Sequence, residues 1–182
     1  AGSGDIAEGD TLEGIENLIG SDYDDELMGD DKDNILEGGL GNDILEGKGE
    51  DDTLDGGDGG DFASFANALK GVTIDLGLAT PQLNGDEGSD TLMGIENLVG
   101  SMRSDSLTGD VNDNILVGGE GDDHLYGLGG DDILLGEEGT DILEGGDGDD
   151  LLDGGDRGDA LRGGDGIDTV TYVDAKNSVT VN

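Results

Sequence analysis

The nine residues Gly38-Gly39-Leu40-Gly41-Asn42-Asp43-Ile44-Leu45-Glu46 decide how this chain is read. Glycines at positions one, two and four open backbone conformations that side chains resist, and they let carbonyl oxygens converge. Position six adds a carboxylate. Positions seven to nine are too few for a helix and suit a short strand with only the middle side chain facing inward. One such unit buries nothing, whereas stacked units place leucine on leucine in a thin continuous core.

The unit recurs without slippage. Position one is glycine at Gly20, Gly29, Gly38, Gly47 and Gly56, and again at every ninth residue from Gly100 to Gly163. Position six reads Asp25, Asn34, Asp43, Asp52 and Asp61, then Asp105, Asn114, Asp123, Asp132, Asp141, Asp150, Asp159 and Asp168. Position eight is apolar throughout, ending at Ala63 in the first run and Val170 in the second. The wider composition fits no ordinary core. The 182 residues hold 47 acids against 7 Lys and Arg, a net charge of −40, with 32% hydrophobic and 3% aromatic residues. Such a chain stays disordered unless something cationic neutralises it. It has no basic footprint for nucleic acid and no cysteine for a disulfide or a thiolate site. No apolar run reaches the roughly 18 residues of a membrane span. Hard oxygen ligands without nitrogen or sulfur select calcium over transition metals.

The same pattern stands at Gly145–Asp153, Gly118–Tyr126 and Gly163–Thr171. With these residues the chain resembles the RTX, or hemolysin-type, calcium-binding proteins. The resemblance implies an all-β fold, a parallel β-roll or β-solenoid, with two RTX blocks joined by a β-rich connector. Each nonapeptide is then half a coil, so turns alternate between two edges. A calcium ion lies between a repeat and the next but one, held by the sixth-position acids of both and by turn carbonyls. The ligands so implied are Asp43, Asp52, Asp61, Asp123, Asp132, Asp141, Asp150, Asp159 and Asp168. The turns that bring carbonyls are Gly38, Gly39, Gly41, Gly56, Gly57 and Gly59 in the first block. In the second they are Gly118, Gly119, Gly121, Gly127, Gly129, Gly136, Gly145, Gly146, Gly148, Gly163, Gly164 and Gly166. Five repeats allow three ions and eight allow six, so up to about nine Ca2+ in all, which would move the charge from −40 to −22.

Several turns depart from the pattern. Position four is Tyr23, Lys32, Glu50, Arg103, Asn112 or Arg157 in place of glycine, and Asn34 and Asn114 replace the acid. The first turns of each block are therefore expected to bind weakly or not at all. The firmest pairs are Asp43 with Asp61, Asp123 with Asp141, Asp132 with Asp150, and Asp150 with Asp168.

The expected organisation is a partial connector at 1–19, a first block at 20–64, a connector at 65–99, a second block at 100–171 and the start of another connector at 172–182. Asp10–Ser21 (DTLEGIENLIGS) is echoed by Asp90–Ser101 (DTLMGIENLVGS), and Gly56–Asp75 is echoed by Gly163–Asn182. One long unit is thus repeated, and the chain reads as an excerpt of a larger protein. In the connector Val72, Ile74 and Leu76 alternate as in a strand, and the segment is expected to continue the solenoid in longer coils.

Carboxylate pairs abound, but with 47 acids their proximity is expected from charge and metal binding alone. His124 stands at an outward position with no Ser or Cys constellation, so no catalytic residue is assigned and an enzyme is not expected. Outward Ile115, Ile133 and Leu151 are read first as strand-forming surface residues. The resemblance implies a non-catalytic module of a type I-secreted protein that folds on Ca2+ outside a Gram-negative cell. The other reading is a rigid spacer or adhesive stalk whose surface meets a glycan or protein partner. Both readings place it in a longer parent chain, secreted or at the cell surface, with no nucleic acid partner and no membrane span.

Overall fold

Every repeat carries one strand and one turn, and strands eighteen residues apart pair in parallel. The computed structural model describes residues 14–83, 85 and 88–173. Its strands form a β-solenoid without helix among those residues. One face is a single sheet of eight strands: β2 (Glu26–Met28), β4 (Ile44–Glu46), β6 (Phe62–Ser64), β10 (Asn97–Val99), β12 (Ile115–Glu120), β14 (Ile133–Glu138), β16 (Leu151–Asp153) and β18 (Thr169–Val170). Register holds along it, with Ile115 opposite Ile133 and Ile133 opposite Leu151. The connector does not interrupt this face: Phe62 pairs with Asn97, and Leu98 pairs with Leu116.

The other face is divided. Its first part stacks β1 (Asn17–Ile19), β3 (Ile35–Leu40), β5 (Thr53–Asp58) and β9 (Ser89–Met93). Its second part stacks β7 (Thr73–Asp75), β11 (Ser106–Thr108), β13 (His124–Gly129), β15 (Ile142–Asp147) and β17 (Ala160–Asp165). At the break, β8 (Gln82–Leu83) lies antiparallel against β9. The Gln82 side chain accepts from Asp75 N–H at 2.6 Å and donates to Asp75 O at 2.8 Å, tying the two parts together.

The inward residue is position eight throughout. Leu36, Leu45, Leu54, Ala63, Leu98, Leu107, Leu116, Leu125, Leu134, Leu143 and Leu152 are all fully buried. Each fully buried leucine contributes about 1.5–3 kcal/mol relative to exposure. Phe65, Val72 and Ile74 of the connector join the same core. The core thins at the ends, where Leu18, Leu27 and Leu161 are only partly buried. The connector thus supplies strands and core residues, as its alternating pattern predicts.

Two details differ from the sequence reading. Many strands run six residues, through positions one to three, where a left-handed position two, glycine or not, stays in register with its partner (Gly39 opposite Gly57, Leu128 opposite Gly146). Position nine is not always outward. Glu46 is buried, its carboxylate accepting from Asn67 Nδ2 at 2.8 and 3.0 Å, because the connector folds over it.

Candidate metal sites along the turns

The short strand leaves position six at the mouth of each turn, where its side chain tucks under the stack. Asp43, Asp52, Asp61, Asp123, Asp132, Asp141 and Asp150 are buried. Asp159 and Asp168, nearer the end, are half-buried. The two oxygens of each acid have different surroundings. Oδ1 accepts from the main-chain N–H eighteen residues earlier: Asp43 to Asp61 at 2.7 Å, Asp123 to Asp141 at 2.8 Å, Asp132 to Asp150 at 2.9 Å and Asp150 to Asp168 at 3.2 Å. The four pairs singled out from sequence are therefore joined directly by this ladder.

Oδ2 is another matter. In Asp43, Asp52, Asp61, Asp123, Asp132, Asp141 and Asp150 it is buried and has no hydrogen-bond partner. A buried, unpaired carboxylate oxygen is costly and requires a cation, a proton or water. Each of these oxygens faces the bare Cα of its position-one glycine. A Cβ on Gly118 would lie 2.5 Å from Asp123 Oδ2 and 2.9 Å from the carbonyl oxygen of Gly136, in the next turn on that edge. Gly38, Gly127, Gly136 and Gly145 show the same convergence. At position four, a Cβ on Gly59 would collide with the Gly41 carbonyl. Among the described residues no three His, Asp or Glu side chains gather on one point. The donors on offer are single carboxylate oxygens and main-chain carbonyls, an all-oxygen set suited to calcium.

The electrostatics agree. Burial pushes Asp52, Asp123 and Asp132 up to about 7, aided by neighbouring carboxylates and opposed by the hydrogen bond each accepts from the main chain. Burial also raises Asp61, Asp105, Asp141, Asp150 and Asp159. Like-charged, dehydrated acids in a column hold their protons until a cation takes their place.

Sequence reasoning missed four features. Asp90 continues the position-six ladder across the connector, its Oδ1 accepting from Asp52 N–H at 3.0 Å. The signal was present, since Asp90-Thr91-Leu92 repeats the spacing of Asp52-Thr53-Leu54. Glu96 takes the next place and accepts from Asp61 N–H at 3.0 Å. Position five forms a second ladder of opposite sense, in which Asp113 Oδ1 accepts from Asp131 N–H and Asp131 Oδ1 from Asp149 N–H, both at 2.8 Å. In the turn from Gly127 it is Gly130 that meets the Asn112 carbonyl, while its neighbour Gly129 lies in ordinary contact only.

His124 is exposed and touches Tyr126 edge-on, with ring centroids 6.3 Å apart. Comparison with curated proteins gives no match. Among protein families, the one described as RTX calcium-binding nonapeptide repeat (4 copies) matches at 10–45, 19–54, 28–63, 99–134, 108–143 and 135–170. These matches cover more than half of the chain and coincide with the turns whose acids line the stack, so the chain belongs to the family of RTX calcium-binding nonapeptide repeats.

Proposed function

We propose that this chain is a calcium-driven folding module of an exported protein, structural and not catalytic. The observation that carries the proposal is the column of seven buried Oδ2 oxygens without partners. Without cations these acids repel one another and oppose the stack. Calcium would be held by the position-six acids named above and by carbonyls of their glycine turns, so that binding energy becomes folding energy. The chemistry the ion supplies is charge neutralisation and oxygen coordination.

The chain would stay open in the low calcium of the cytoplasm, pass through a type I exporter and fold outside a Gram-negative cell. The family resemblance is what supports that route and location. No helix of the described residues is long and apolar enough to cross a membrane.

The test is a far-UV circular dichroism titration of chelator-treated protein, with magnesium as control. A cooperative, calcium-specific gain of β signal is expected. A β signal already complete in chelator and unmoved by calcium would overturn the proposal. The unbroken eight-stranded face favours a second role as well, that of a stiff spacer within a longer parent chain.

A further inference from the structure

The four turns that open the two blocks are built differently from the nine that follow. In the later turns position two is left-handed: Gly39, Lys48, Gly57, Gly119, Leu128, Glu137, Gly146, Gly155 and Gly164 have φ between 72° and 136°. Lys48, Leu128 and Glu137 hold this conformation although L side chains resist it. In the opening turns position two is Ser21, Asp30, Ser101 or Asp110, and none of these has a positive φ.

That change of conformation redirects one N–H. Ser21 N–H donates to Asp25 Oδ2. Asp30 N–H donates to Asn34 Oδ1 at 2.7 Å, Ser101 N–H to Asp105 Oδ2 at 2.6 Å and Asp110 N–H to Asn114 Oδ1 at 2.7 Å. The Ser101 hydroxyl adds two further contacts to Asp105, at 2.9 and 3.1 Å. In each opening turn, therefore, position two caps an oxygen of the position-six side chain. The later turns leave Oδ2 unpaired in seven acids, from Asp43 to Asp150. Two of the four opening turns also carry an uncharged amide, Asn34 or Asn114, where the others carry an acid.

We infer that the four opening turns are metal-free closures, in which a main-chain N–H takes the place that a calcium ion takes further along. The inference rests on the calcium reading above and deepens it. Of the nine gaps between a turn and the next but one, four begin on a capped turn: those from Gly20, Gly29, Gly100 and Gly109. Five remain within the blocks, one from Gly38 to Gly56 and four from Gly118, Gly127, Gly136 and Gly145. The connector closes two more, where Asp90 and Glu96 continue the ladder from Asp52 and Asp61, whose Oδ2 atoms are also unpaired. The chain therefore binds seven ions, one for each unpaired Oδ2, and its charge falls from −40 to −26. Each block begins with turns whose position-six oxygen is already capped, a calcium-independent end on which the calcium-dependent turns stack.

The experiment counts ions on the full chain by native mass spectrometry at saturating calcium, with calorimetric stoichiometry alongside. Seven are expected on the unaltered protein, and nine or more would overturn the inference. The triple variant Asp110→Gly, Asn112→Gly and Asn114→Asp restores glycine at positions two and four and the acid at six. It should bind one ion more than the unaltered chain. An unchanged count in a variant that still shows the calcium-bound β signal would also overturn the inference. The count on the unaltered chain needs no variant to fold. No bound calcium at all would overturn the calcium reading itself, an outcome distinct from a count of nine.

Discussion

The two blocks use the same nonapeptide, yet they are not equivalent. The first stacks five turns and its core narrows to Ala63; the second stacks eight turns, with leucine at position eight from Leu107 to Leu161. Acids with raised pKa values number two in the first block, Asp52 and Asp61. In the second they number six, from Asp105 to Asp159. The blocks share the continuous face through β6, β10 and β12. The difference teaches that one repeat unit supplies two unequal contributions, a short block that leans on its neighbour and a long one that concentrates both core and charge.

The strongest way to break this comparison is to place a charge in the core. Leu134 is fully buried between β12 and β16, so Leu134→Asp buries an unpaired carboxylate. It should abolish the calcium-induced β signal of both blocks. Leu45→Asp, at an equally buried site of the first block, should leave a protease-resistant fragment spanning 100–171. If Leu134→Asp leaves the calcium-bound spectrum unchanged, the inward assignment fails. If Leu45→Asp destroys both blocks, the dependence does not run in one direction.

Acid should separate the blocks next. The raised acids have folded values above the roughly 3.9 of an unfolded aspartate, with Asp52, Asp123 and Asp132 at about 7. The metal-free fold therefore binds more protons than the open chain. Its stability is greatest below about pH 4 and is lost as pH rises through about 7. In chelator, β signal should grow on acidification from pH 8 to 4, more in the second block than in the first. In calcium the sign reverses for affinity, because protons compete for the same oxygens and the calcium midpoint should rise as pH falls. Circular dichroism at both extremes reads this out, and loss of β signal on acidification in chelator would contradict it.

How much of this was legible depends on what a residue must do. Leu45 and Asp43 are legible because a nine-residue period puts one inward and the other at the turn wherever they occur. The connector strand Val72–Leu76 is legible from alternation, and it does supply β7. Asp90 was obscured because an insertion shifts it off the frame, even though Asp90-Thr91-Leu92 keeps the local spacing. The cap made by Ser101 was invisible for a different reason. Its function depends on the sign of one backbone angle, and Leu128, with a bulkier side chain at the same position, takes the other sign.

Two acids sharpen the contrast between capped and open turns. Asp150 accepts from Asp132 N–H at 2.9 Å and holds an unpaired oxygen. Asp150→Ala should raise the calcium midpoint about tenfold, on the order of 1.4 kcal/mol per lost decade. Asp105 instead accepts from Val72 and Ser101 N–H at 2.7 and 2.6 Å. Asp105→Ala strands two donors, costing about 1–3 kcal/mol each if they stay dry, so melting should fall while the calcium midpoint and ion count hold. Equal midpoint shifts for the two variants would erase the distinction.

The smallest effect belongs to the seam in the divided face. There the blocks are joined not by strand pairing but by Gln82, whose amide satisfies both the N–H and the carbonyl of Asp75. Gln82→Ala removes two bonds made by a buried side chain to the half-buried Asp75, each with a net worth of about 0.5–1.5 kcal/mol, so the loss should be about 1–2 kcal/mol. It should appear as faster hydrogen exchange at Asp75, with ion count and calcium midpoint unchanged. The unbroken face explains why the cost stays small: Phe62, Asn97 and the strand after them still carry the register across the junction. A calcium midpoint that moved with Gln82→Ala would mean that the seam, and not the continuous sheet, couples the two blocks.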